Sequence, residues 1–281
     1  MGRITARRPV TRIVGDRGTR AHDTLVVEEP LEIRVGGEAL AVTMRTPGHD
    51  MDLAAGFLVS EGLIAQRDEL RSLTYCVPRG EGNHYNVLDA RLAGAPAVPA
   101  SGLRRALTTS SSCGLCGKAQ VHDIRTALRY DLRADAATVG ADALRAMPGR
   151  LRDGQDVFDR TGGLHAAGLF DVGSGQLLAL REDVGRHNAV DKVIGWALRE
   201  DWLPLRATVL FVSGRASFEL AQKCAVAGIP VLAAVSAASS LAVDLAAEAG
   251  LTLVGFVRDD RLVVYTGAER VVLAPAVAAT A

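Results

Sequence analysis

Residues 208–266 read TVLFVSGRASFELAQKCAVAGIPVLAAVSAASSLAVDLAAEAGLTLVGFVRDDRLVVYT, and the rhythm of this stretch decides the fold. Residues 208–212 are a short apolar run rich in β-branched and aromatic side chains, which suits a strand buried on both faces. Residues 217–227 carry a helical pattern stopped by Gly228, 231–235 are a second apolar run, and 240–249 are a second helix stopped by Gly250. Residues 251–257 supply a third strand, and 262–265 pair back on it across the turn Arg258-Asp259-Asp260-Arg261. Short apolar strands alternating with capped helices predict parallel βαβ units, hence an α/β fold whose C-terminal part is a three-layer α/β/α lobe.

In an open parallel sheet, ligands bind where the chain leaves the carboxyl ends of the strands. Ser213-Gly214-Arg215, Ser236-Ala237-Ala238-Ser239-Ser240 and Arg258 leave the three predicted strands there. Two of these segments enter helix N-termini, whose free N–H groups favour anions, and the first and third add a guanidinium. The edge therefore suits a phosphate- or nucleotide-containing ligand. The alternative is a set of ordinary polar connections with Arg215 and Arg258 in solvent.

Upstream, Arg181-Glu182-Asp183-Val184-Gly185-Arg186-His187-Asn188-Ala189-Val190-Asp191-Lys192 is the densest cluster of chemically active side chains. Asn188 is read as the start of a helix with Val190, Val193, Ile194 and Ala197 on its apolar side, which puts Arg186 and His187 beside the N-terminus, placed to meet an anion. An ion-paired rim with Asp183 and Asp191 is the structural alternative. His165 is read as a half-buried, hydrogen-bonded side chain rather than a proton carrier.

The N-terminal half has a different pattern. Leu31, Ile33 and Val35 alternate with polar residues, Gly36-Gly37 turns the chain, and Leu40, Val42 and Met44 resume the alternation, as in a hairpin with one buried face. Residues 50–61 read as a helix with acids in its first turn and Gly62 as its stop, and a strand pair fits 73–91. Residues 21–105 thus form a predicted α+β lobe, with the Ala/Gly/Pro-rich stretch 93–102 as linker, 106–127 as a loop leading into a helix, and 128–281 as the α/β/α lobe. Residues 1–20 read as a flexible basic tail: Arg7-Arg8 has no apolar run behind it to make an export signal.

The 281 residues are 48% hydrophobic and 23% charged, enough for a sizeable core. With 32 basic and 32 acidic side chains the net charge is zero, so no global field favours nucleic acid. Apolar stretches fall short of a membrane span, and a cytoplasmic location is expected. Four unevenly spaced cysteines do not make a disulfide framework. Two of them stand in Ser110-Ser111-Ser112-Cys113-Gly114-Leu115-Cys116-Gly117-Lys118, where small flanks cannot bury the thiols and Lys118 favours thiolate. Such a pair could be a sulfur carrier, a redox couple or half a zinc site. Zinc lacks two ligands, since Cys76 and Cys224 lie far off and His122 is the one imidazole nearby. A thioredoxin-like couple lacks the preceding strand.

Taken together, Ser-Ser-Cys-Gly-Leu-Cys-Gly-Lys, Thr161-Gly162-Gly163-Leu164-His165, the Arg181 to Lys192 motif and Ser213-Gly214-Arg215 with the closing βαβ run resemble the FdhD family of formate dehydrogenase accessory sulfurtransferases, over residues 31–266. The resemblance implies a sulfur carrier that takes sulfur from a cysteine desulfurase as a persulfide. It would pass that sulfur to a molybdenum or tungsten cofactor, a bis(molybdopterin guanine dinucleotide), before the cofactor enters formate dehydrogenase. It further implies that Cys113 carries the persulfide, that Cys116 assists or protects it, and that Phe256, Val257, Arg258, Asp259, Asp260 and Arg261 bind the cofactor. A homodimer, no resident metal and a C-terminal lobe resembling the cytidine deaminase fold complete the implication. Deaminase chemistry is not expected, because His165 is followed by Ala166-Ala167 where a zinc deaminase needs His-x-Glu, and the cysteine pair lies upstream of the histidine. Asp259 and Asp260 could accept from the guanine edge or merely turn the chain. The alternative function is a non-catalytic cofactor chaperone whose cysteines bind a partner or a metal.

Overall fold

The computed structural model describes residues 4–76, 85–94 and 129–273. The chain opens with a hairpin, β1 (Thr5–Val14) against β2 (Arg17–Val26), paired along all ten residues of each strand. The segment that reads as a flexible basic tail is thus strand from Thr5 onward. Nearly every side chain of both strands faces solvent, so neither face carries the apolar alternation by which a sequence announces a strand.

β3 (Glu29–Val35) and β4 (Glu38–Arg45) form the hairpin that the Gly36-Gly37 turn predicts, with both glycines at positive φ. After α1 (Asp50–Ser60) come β5 (Leu70–Tyr75) and β6 (Val87–Leu92), and the four strands make one sheet in the order β4-β3-β6-β5. Leu31, Ile33 and Leu88 from the sheet pack on Leu53 and Ala54 of α1, the α+β arrangement expected of this half. Of the linker stretch only Ala93 and Gly94 are described; the predicted loop at 106–127 lies outside the described residues.

In the second half, β7 (Val139–Gly140) leads into α2 (Ala141–Asp153) and the short α3 (Asp156–Thr161). β8 (His165–Asp171) and β9 (Leu177–Asp183) form a hairpin, and α4 (Arg186–Arg199) follows. Then come β10 (Thr208–Val212), α5 (Phe218–Ala227), β11 (Val231–Ala234), α6 (Ser240–Ala249), β12 (Thr252–Gly255), β13 (Val263–Thr266) and β14 (Val271–Val272), which pairs with β7. The main sheet of this lobe runs β13-β12-β11-β10-β8-β9, parallel from β10 to β12 and antiparallel at both flanks. Gly228 and Gly250 close α5 and α6 in the left-handed conformation that a glycine adopts without strain.

Strand alternation divides the core. Val209, Phe211, Val231, Ala233 and Val254 point to one face and meet Leu144, Met147 and Leu151 of α2. Leu210, Val212, Leu232, Ala234 and Leu253 point to the other and meet α4, α5 and α6. These are the three layers the sequence predicts. The two lobes join where α1 crosses α4: a Cβ on Gly56 would stand 1.8 Å from the carbonyl oxygen of Asp191, and one on Gly195 1.8 Å from that of Asp52. Only glycines permit so close a crossing.

Candidate functional site

The three connections leaving β10, β11 and β12 are zipped together along one edge. The Ser236 N–H donates to the Gly214 carbonyl at 3.2 Å, the Phe256 N–H to the Ser236 carbonyl at 3.1 Å, and Ala216 bridges Ala238 in parallel. Three loops that could have been separate polar connections are therefore one continuous rim, fixed to the sheet by backbone hydrogen bonds.

At its β12 end, Phe256 has φ 49°, a left-handed conformation that a bulky residue adopts only when its surroundings enforce it, and the residue is 39% exposed. The Arg258 N–H donates to the Arg261 carbonyl at 2.8 Å, closing the turn that the sequence predicts. Arg258, Asp259, Asp260 and Arg261 are exposed, whereas Val257 is fully buried beneath them, its N–H donating to the Ala234 carbonyl and its own carbonyl accepting from the Arg258 guanidinium. The guanidinium of Arg258 also donates to the Val235 carbonyl, tying the turn to the β11 loop.

At the other end of the edge, the Arg181 to Lys192 motif separates into structural and unspent groups. The Arg181 guanidinium pairs with Asp52 at 2.9 Å, and Glu182 accepts from the N–H groups of Val157 and Phe158. Asp183 pairs with Lys192 at 2.7 Å and accepts from the Gly185 N–H and the Asn188 amide. Asp191 pairs with Lys223 at 2.7 Å and accepts from the Ser60 hydroxyl. The ion pairing weighed as the alternative therefore holds for Asp183 and Asp191, though in the interior and not at a solvated rim. The helix, however, begins at Arg186 with Gly185 as its cap, two residues before Asn188. The Asn188 side chain is drawn to Asp183 and to the Met44 carbonyl instead of capping.

Arg186 and His187 thus occupy the first turn of α4. His187 Nε2 lies 3.7 Å from Glu219 Oε2, in the first turn of α5. That imidazole is the main reason the Glu219 carboxyl is held down at about 2, against the opposing effect of burial. His165, half-buried at the start of β8, has its imidazolium disfavoured first by burial and then by the positive charges of Arg186 and His187. Nothing in the sequence pairs Glu219 with His187, because the two are on different helices that come together only in the folded chain.

Cys113 and Cys116 lie outside the described residues. Of the other two cysteines, Cys224 is buried in α5, where burial pushes its thiol up and leaves it inert, and Cys76 is half-buried just past β5. Among the described residues no group of three or more His, Cys, Asp or Glu is placed to hold a metal ion, and no helix is long and apolar enough to cross a membrane.

Residues 26–272 match the sequence model of the FdhD/NarQ family. The chain is 58% identical over 270 residues to the sulfur carrier protein FdhD of Mycolicibacterium paratuberculosis, covering 95% of this chain and 99% of the relative. It is 55% identical over 276 residues to the protein of the same description from Mycobacterium tuberculosis, covering 96% and 100%. A crystal structure from Desulfotalea psychrophila, described as a formate dehydrogenase accessory protein, superposes with a TM-score of 0.75 at 23% identity, over 96% of this chain and 100% of that one, and shares its fold.

Proposed function

The chain belongs to the FdhD/NarQ family, and from that premise we propose that it carries sulfur to formate dehydrogenase by way of that enzyme's cofactor. In this reading Cys113 accepts sulfur from a cysteine desulfurase as a persulfide, Cys116 shields or assists it, and the outer sulfur passes to a bis(molybdopterin guanine dinucleotide) bound as substrate. The cofactor is then delivered to formate dehydrogenase.

The observation that carries the reading is the rim. Backbone hydrogen bonds hold a strained, exposed Phe256 beside two guanidiniums and two carboxylates at the carboxyl end of a parallel sheet. Guanidiniums suit phosphate, an exposed ring suits stacking with a base, and Asp259 or Asp260 can accept from the guanine N–H edge.

Calorimetric titration with GDP, which stands for one nucleotide half of the cofactor, tests it. Replacing both Arg258 and Arg261 with Ala removes two charge-assisted contacts and should weaken GDP binding by at least about tenfold. ADP should bind the wild type more weakly than GDP. Equal GDP affinity in wild type and double variant would refute the assigned turn, and equal affinity for ADP would refute guanine reading by the carboxylates.

A further inference from the structure

We propose that the same edge holds a second anion seat, between the first turns of α4 and α5, in which Arg186 and His187 take a phosphoryl group with His165 opposite them. The proposal rests on the reading of this edge as the cofactor's seat and adds a place for a part of the ligand that the Phe256 turn does not reach.

The charge balance of the motif leads there. Arg181, Asp183, Asp191 and Lys192 are each neutralised by a close partner. Arg186 is the exception: among the described residues it makes neither an ion pair nor a hydrogen bond, and its Nε is shut off from solvent. The Nε2 of His187 is buried and faces Glu219 at 3.7 Å, a charge pairing too long for a hydrogen bond. A buried donor left unmatched is costly, so the Arg186 Nε calls for an acceptor that the described residues do not supply.

The electrostatics agree. Glu219 stays a carboxylate and offsets one positive charge, and Lys192 answers Asp183, which leaves the Arg186 guanidinium uncompensated at a helix N-terminus. The same excess of positive charge adds to burial in keeping His165 neutral. A neutral imidazole has one donor and one acceptor nitrogen, and can meet a phosphoryl oxygen whether or not that oxygen is protonated. Gly214, in the connection that leaves β10, lies against the same imidazole: a Cβ built on it would stand 3.6 Å from His165 Nδ1.

The seat also lies at a useful distance. The Phe256 turn leaves β12, Gly214 leaves β10 and His165 begins β8, so two to three strand spacings, about 10 to 14 Å, separate the two sites along one edge. That is within the reach of an extended nucleotide whose base sits at the turn. The phosphoryl group could belong to the bound cofactor or be a free oxyanion; the chemistry is shared.

The test is calorimetric titration of the full-length protein with inorganic pyrophosphate and with GDP, on wild type, Arg186→Ala, Arg186→Lys and the Arg258→Ala/Arg261→Ala variant, with thermal melts to verify folding. Arg186→Ala should weaken pyrophosphate binding by at least about tenfold, Arg186→Lys by less, and the double variant should leave it within about twofold. Parallel loss of GDP binding in Arg186→Ala would identify the seat as the cofactor's own phosphate site, and loss of pyrophosphate alone would identify it as a site for a free oxyanion; either supports the proposal. Pyrophosphate binding of wild-type strength in a folded Arg186→Ala protein, or no pyrophosphate binding by the wild type, would overturn it. The wider reading fails separately, through loss of guanine preference at the turn or of sulfur loading at Cys113.

Discussion

Lys192 Nζ stands 2.7 Å from Asp183 Oδ2, and neither side chain meets solvent. The remaining ammonium hydrogens reach the carbonyls of Thr46, at 3.0 Å, and Glu182, at 3.2 Å, while Asp183 also accepts from the Thr46 N–H at 3.1 Å. One buried pair therefore fastens the end of β4, the end of β9 and the start of α4, which together position Arg186 and His187. Lys192→Met leaves a buried carboxylate uncompensated and should cost about 3 to 5 kcal/mol in urea unfolding. Lys192→Met combined with Asp183→Asn should cost less than the two single changes summed. A Lys192→Met protein as stable as wild type would show that the pair is not the fastening.

The α1–α4 crossing supplies a sharper packing test. Gly195→Ala drives a methyl into the Asp52 backbone, which cannot rotate away, and should lower stability by about 2 kcal/mol or more. Gly149, exposed in α2 with open space around it, should respond to the same substitution in the opposite sense, gaining up to about 1 kcal/mol of helix propensity. Thermal melts of the two variants, run side by side, read both signs.

Acid should uncouple Glu219 from His187. The Glu219 carboxyl is lowered from 4.5 to about 2 in the folded chain, so its contribution to stability is complete above about pH 4.5 and is lost as the pH falls toward 2. Because Glu219 is partly exposed, solvent screens the pair and its net contribution is smaller than the shift alone implies; Glu219→Gln removes it at every pH. The stability gap between wild type and Glu219→Gln, followed by urea midpoints, should therefore narrow steadily below pH 4.5. A gap constant from pH 6 to pH 3 would contradict the pairing.

The central βαβ run was legible because strands buried on both faces are written as unbroken apolar residues, and Gly228 and Gly250 mark where the helices must stop. The turn from Arg258 to Arg261 was legible for a related reason: charged residues between two apolar runs leave the chain nowhere to go but back. The β1–β2 hairpin was not, since Arg7, Arg8, Arg12, Arg17 and Arg20 put charge on strands that bury almost nothing. Nor was the start of α4, where Asn188 has the composition of a cap but a buried carboxylate five residues upstream takes its amide. The charged motif announced a site without saying which charges were spent. That distinction depends on Asp52, Ser60, Glu219 and Lys223, partners drawn from other elements and invisible to local pattern.

The central claim, that the chain carries sulfur on Cys113, is tested most directly by intact-protein mass after incubation with a cysteine desulfurase and cysteine. Wild type should gain one sulfur atom, removable by a thiol reductant, and Cys116→Ala should still gain it. Cys113→Ala, expected to fold because the small Ser and Gly flanks of Cys113 leave little packing to lose, should gain none. Sulfur loading of a folded Cys113→Ala protein to the level of wild type would contradict the account.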